Sequence, residues 1–305
     1  MSRFLPPLLC AFALSATPSL PASAQAQPAT AAGCPNGGTV RFGLEPFEAA
    51  SRLLPAYDAL TKLVSAKLGC PVELLITTSY NAEIEAMRNG KLDVAEFGPL
   101  GYVLAHQVAH ADAVATYGDD TGKPIAYYAS IVSWRGSGIT SLKDIANHSF
   151  AYSDPASTSG HLFPAYGLRT HGIDPDHGIR PMYAGSHTAS FEAIRNKKVD
   201  AGELNSNEVD SATEAGEYTP ADWVTLWKSD PIPNDAIAVR RDLPDAFKLR
   251  FAQVMQALPF SELPPDVVKV FPATKTTRFV PMPDAAYDGI RDLVKTLNVD
   301  LTKLS

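Results

Sequence analysis

The stretch Ser153-Asp154-Pro155-Ala156-Ser157-Thr158-Ser159-Gly160-His161 sets three consecutive hydroxyl residues and a glycine between two patterned runs. Residues 148–152 before it read as a strand, and residues 162–170 after it read as a helix. A strand-to-helix turn of this kind aims backbone N–H groups and hydroxyls at one spot. The unpaired amides of a first helical turn and the positive end of its dipole both favour negative charge there. The stretch therefore marks an α/β unit whose turn suits a tetrahedral oxyanion. An ordinary Ser/Thr helix cap gives the same pattern, so the motif alone leaves both readings open.

Working outward, strand and helix alternate on both sides. Residues 40–44, 72–76 and 92–97 read as strands. Residues 54–68 repeat Leu54, Tyr57, Leu60, Val64 and Leu68 at helical spacing and stop at Gly69. Residues 81–89 and 100–108 read as helices, and 113–117 and 129–134 as further strands. A second set follows the opening motif: strand 179–183, helix 190–196, strands 201–204, 223–228 and 236–239, then helices 246–258 and 287–297. This alternation predicts two α/β halves, each a mostly parallel sheet with helices on both faces. Open α/β sheets bind ligands beyond the carboxyl ends of their strands, so two such edges facing one another make a cleft. Tyr80, Glu96, Tyr127, Ser157, Thr158, Ser159, His187, residues 205–208 and Asp235 all fall at or near strand ends.

The N-terminus reads as a secretory signal, residues 1–24. Arg3 is its basic region, 4–16 its apolar run and Ala22-Ser23-Ala24 its cleavage site. Residues 25–36 read as a disordered leader. An exported protein of the periplasm is expected. The formal charge is −7, and −8 once Arg3 is removed. With no basic run, that balance argues against nucleic acid as a partner. Cys10 leaves with the signal. Cys34 and Cys70 then form an even pair in an oxidising compartment, each just ahead of a strand. A disulfide joins them if those strands are parallel neighbours.

The segments Asp154 to Gly160 and Gly185-Ser186-His187 resemble the periplasmic phosphate-, phosphite- and phosphonate-binding proteins of ABC importers. So do Leu92-Asp93-Val94-Ala95 with Gly98-Pro99, Ser137-Gly138-Ile139 with Leu142-Lys143-Asp144, and Pro231-Ile232-Pro233-Asn234-Asp235. The likeness runs over residues 40–258. It implies a two-lobed, type II-like binding-protein fold with the ligand between lobes 37–126 plus 240–305 and 127–239. It also implies an oxyanion clamp of Ser157, Thr158, Ser159 and His187, closed by Tyr80 and Tyr127, with Asp235 at the cargo's distal group. Where aminoalkylphosphonate binders of the family carry a second carboxylate, the spacing places Asn207. Glu96 sits where relatives often carry an apolar residue, and an ammonium would be a suitable partner for it. The implied cargo is 2-aminoethylphosphonate, with phosphite or phosphate as the alternative. The implied partner is an ABC permease, the expected state a monomer, and no cofactor or metal is expected.

Three other readings carry less. A Ser–His–Asp hydrolase would use Ser157 or Ser159 with His187 and Asp235, but the Gly-x-Ser-x-Gly elbow is missing. A metal carrier would use His161, His171, His177 and His187, whose spacings do not place them on one helix face. A sensor would need an anchor or signalling domain that this sequence does not show.

Overall fold

A computed structural model describes residues 33–271 and 276–297, with Met1. Apart from Met1, the expected signal, 1–24, lies outside the described residues. The chain runs β1 (Val40–Leu44), α1 (Ala50–Leu68), β2 (Val72–Ile76), α2 (Tyr80–Arg88), β3 (Val94–Phe97), α3 (Pro99–Val108) and β4 (Ala111–Gly118). It continues with β5 (Ala126–Tyr127), β6 (Ala129–Trp134), β7 (Ser149–Tyr152), α4 (Phe163–Thr170), β8 (Arg180–Tyr183), α5 (His187–Arg195), β9 (Ala201–Asn205) and α6 (Ser206–Glu214). It closes with β10 (Trp223–Lys228), β11 (Ile232–Pro233), β12 (Ala236–Arg240), α7 (Asp245–Ala257), α8 (Pro265–Val268), β13 (Arg278–Val280) and α9 (Asp288–Leu297).

Two sheets carry the molecule. The first has the order β13-β4-β12-β3-β1-β2 and the second β10-β6-β9-β7-β8. Each has helices on both faces. One face of the first sheet packs α1 and α7 through Tyr57, Leu60, Val64, Phe247 and Phe251, and the other packs α2, α3 and α9 through Ile84, Leu104 and Ile290. The second sheet is covered likewise by two smaller clusters, around Phe150 and Leu168 and around Phe191 and Trp223.

Neither sheet is as parallel as the alternation predicts. β12 is antiparallel to β3 and β4, and β6 is antiparallel to β9 and β10. These are the strands that receive the chain as it passes from one sheet to the other. A strand entering from the cleft side must run away from it, opposite to strands that end there. The passage itself is a short antiparallel ribbon, Ile232 against Tyr127 and Pro233 against Ala126. The expected return at residue 240 is therefore too late, because β12 from Ala236 onward is a central strand of the first sheet. Its near-continuous apolar run fits a strand covered on both faces, and chain order alone could not assign it to a sheet.

β1 and β2 pair in parallel with Val40 opposite Val72, and Cys34 and Cys70 are disulfide-bonded just ahead of them. The end of the expected leader is thereby tied down, and residues 36–38 already form a short turn. In α1, Leu53 is buried and Leu54 is 55% exposed, so the inward stripe starts one residue earlier than its spacing suggests. The helix ends where expected, at Gly69 in a left-handed conformation with φ 69°. Among the described residues no helix is long and apolar enough to cross a membrane.

Candidate functional site

The opening motif leaves β7 and enters a wide first turn before α4, in which the Leu162 amide donates to Ser157 O. The Asp154 side chain accepts from the Ala156 amide at 2.8 Å, and Ser157 Oγ accepts from the Gly160 amide at 3.1 Å. Gly160 is required by close approach: a Cβ there would stand 1.7 Å from Ser153 Oγ and 2.9 Å from His187 Cε1. Ser157, Thr158 and Ser159 are buried from bulk water but line a cleft between the sheets. Two more helices begin beside them. Ser186 caps α5 at His187, and Asn205 caps α6 by accepting from the Glu208 amide. Three helix N-termini of the second sheet thus converge on one spot, which favours an anion.

His187 supplies the positive centre. Its Nδ1 is 2.9 Å from Glu203 Oε1, and its Nε2 is 3.4 Å from Ser157 Oγ. Burial by itself would lower the imidazole's pKa. The Glu203 carboxylate, with Glu208 and Asp235 farther off, outweighs burial and holds it above its ordinary value.

The opposite wall has another character. Tyr80 opens α2, and Tyr127 lies on the crossing ribbon with its phenol in reach of Ser159 and Thr158. Burial pushes both phenols well above their ordinary range, so they remain protonated donors. Glu45 follows β1 and accepts from the Gly98 amide at 3.1 Å, at the start of α3. Asp235 stands between the ribbon and β12. Burial and neighbouring carboxylates push Glu45 well above the carboxylate range, and burial pushes Asp235 up to about 7. Glu48 and Glu208 line the same cleft, and burial raises both, Glu208 to about 7.

The walls touch. The His187 amide donates to Phe47 O at 3.0 Å, and the Leu100 amide to Thr158 Oγ1 at 2.7 Å. Ser211 Oγ donates to Glu48 Oε1 at 3.0 Å. They enclose a cavity of about 160 Å³. That is below the roughly 300–1,000 Å³ of a drug-sized ligand's site and on the scale of a small anion.

Of the residues expected from the sequence, Tyr80, Tyr127, Ser157, Thr158, Ser159, His187, Asn207 and Asp235 line this cleft. Glu96 does not. It points into the first core, where the Tyr57 and Tyr117 hydroxyls donate to its Oε1 at 2.9 and 2.6 Å. Burial raises it to about 8, and its partners are phenols rather than an ammonium. Nor does a Ser–His–Asp arrangement form, because the imidazole Nδ1 faces Glu203 and not Asp235. The other histidines are dispersed: His161 bonds Pro155 O, His171 bonds Gly167 O and His177 faces Asp174. Among the described residues no group of three His, Cys, Asp or Glu is placed to hold a metal ion.

Sequence reasoning missed Glu203 and Glu45. Glu45 carried a usable signal, a carboxylate directly after an apolar strand. Residues 268–271, in a Pro-rich stretch without an evident role, also reach the cleft.

Residues 42–287 match the family described as ABC transporter, phosphonate, periplasmic substrate-binding protein. The phosphate-import protein of Mycolicibacterium smegmatis is 32% identical over 282 residues, 87% of each chain. The phosphonates-binding periplasmic protein of Escherichia coli is 28% identical over 68% of this chain and 63% of its own. The solved structure of a Prochlorococcus marinus protein in complex with methylphosphonate superposes with TM-score 0.75 at 21% identity, covering 86% of this chain and 98% of the other. At that identity the likeness speaks for the two-lobed fold.

Proposed function

This chain belongs to the family of periplasmic phosphonate-binding proteins of ABC transporters, and we propose that its cargo is 2-aminoethylphosphonate, taken up from the periplasm. The family is one of substrate-binding proteins that hand a phosphonate or phosphate to an importer, not of enzymes. The observation that carries the reading is the convergence of Ser157, Thr158, Ser159 and His187 on one cavity at three helix N-termini. Each charge-assisted hydrogen bond from such a donor contributes about 1.5–3 kcal/mol, so several together hold a dianion. Tyr80 and Tyr127 donate from the facing wall. Closure strips water from the anion, and low dielectric strengthens every bond to it. Asp235 and the other acids of that wall favour a cargo with a cationic tail, and Asn207 adds a neutral polar contact beside it.

The protein acts as a monomer of two lobes, residues 37–126 with the return strand and C-terminal segment, and 127 to the ribbon. An ABC permease reads the closed form. A second reading, inorganic phosphate, is favoured by the likeness to the mycobacterial phosphate-import protein. Calorimetry of purified protein against 2-aminoethylphosphonate, methylphosphonate, phosphite and phosphate separates the two. Tightest binding of the amino compound is expected, and binding of phosphate alone would sink the reading.

A further inference from the structure

We propose that Glu45 is the specificity-determining carboxylate of this cleft, receiving the cargo's ammonium together with Asp235. This rests on the phosphonate reading above. Asn207 is neutral, and Glu96 is turned into the core. Of the acids that line the cleft, Glu45 stands beside Asp235.

Glu45 is 3% exposed and lines the cleft. Its Oε1 is engaged by the Gly98 amide, while its Oε2 is buried without a hydrogen-bond partner among the described residues. The Tyr80 hydroxyl is likewise buried and unpartnered. Capping α3 accounts for one oxygen only. A buried carboxylate oxygen left bare costs several kcal/mol, so it calls for a proton or a cation. Asp235 converges on the same place: a Cβ on Gly98 would stand 3.0 Å from Glu45 Oε1 and 3.8 Å from Asp235 Oδ1.

Reach is also right. Gly98 bonds Glu45, and Leu100, two residues along the same turn, bonds Thr158 of the anion clamp. Glu45 and the clamp are thus both tied to the one turn that opens α3.

Glu83 from α2, Asp235 ahead of β12 and Asp154 after β7 face Glu45, with the phenols of Tyr80 and Tyr127. In such company the empty cleft keeps a proton on Glu45, and a cationic guest releases it. A guest without a cationic group leaves that proton on Glu45.

The test is calorimetry of wild type and Glu45→Gln against 2-aminoethylphosphonate and methylphosphonate, at about pH 7 in two buffers of different ionisation enthalpy. Wild type should prefer the amino compound by at least about tenfold and release protons on binding it. Glu45→Gln should cut that preference by at least about tenfold and suppress the proton release. A protonated Glu45 acting only as a donor would be replaced well by Gln, and an unchanged preference would overturn the assignment. Equal wild-type affinity for the two compounds would also overturn it while leaving the phosphonate reading intact. Binding of phosphate alone would remove the reading itself, and the assignment with it. Glu45→Asp, which keeps the charge but withdraws it, guards against a folding defect and should lower the preference as well.

Discussion

The two walls of the cleft use the same device to opposite ends. On both, helices begin at strand ends and present their positive termini to the gap. On the first-lobe wall those termini are already answered by carboxylates. Glu45 takes the Gly98 amide of α3 from the same lobe, and the Asp154 carboxylate of the second lobe takes the Tyr80 amide of α2 from across the gap. On the second-lobe wall the motif around Ser157–Ser159 offers hydroxyls and an imidazole, while Asp154 takes the Ala156 amide, Glu203 serves His187 from behind and Glu208 stands in the first turn of α6. The lesson is that a helix terminus is not itself a site. It offers one where hydroxyl donors gather beside it and are left without a carboxylate partner of their own.

The comparison breaks most sharply if the open wall is filled. Ser159→Asp sets a carboxylate among the donors, and oxyanion affinity should fall at least about a hundredfold, roughly 2.7 kcal/mol. Calorimetry that found the affinity intact would mean the anion sits elsewhere. Removing the positive centre is next. His187→Ala deletes the imidazolium and leaves Glu203 buried and unpaired, and binding should weaken by about 1.5 kcal/mol or more. The same variant should melt lower, and retention of wild-type affinity would dismiss His187 from the clamp.

The smallest effect tests the acids behind the first-lobe wall. Their folded-state pKa values lie above those of the unfolded chain, Asp235 at about 7 and Glu96 at about 8. Their contribution to stability is therefore whole below about pH 4, where both states are protonated, and drains as the pH rises through those values. Glu96→Gln keeps one oxygen for both phenols and removes the charge. It should raise stability at about pH 8.5 by about 1 kcal/mol, flatten the melting-point loss between about pH 5 and 8, and leave cargo affinity unchanged. Weakened cargo binding would return Glu96 to the site.

Much of this was open to reading along the chain. The strand–helix alternation, the stop at Gly69 and the Ser-Thr-Ser-Gly turn are local patterns, each expressed within a few residues of its cause, and the disulfide was legible from an even pair of cysteines ahead of two strands. Eight of the expected cleft residues line the cavity because strand ends and helix starts are visible in sequence and the fold gathers them at one edge. The misses share a different cause. Chain order could not show that β12 joins the first sheet, since its apolar run suits either.

Glu45 and Glu96 show the boundary most clearly. Both are carboxylates at the end of an apolar strand, in adjacent strands where Glu96 pairs beside Leu44. The sequence by itself determined that acids stand at this edge and that a hydroxyl-rich turn faces them. Only the tertiary structure decided which acid lines the cleft. Side chains alternate faces along a strand, and the face that looks onto Tyr57 of α1 and Tyr117 of β4 is set by packing between segments far apart in the chain. Glu45, one residue past its strand, is released from that alternation and turns to the gap.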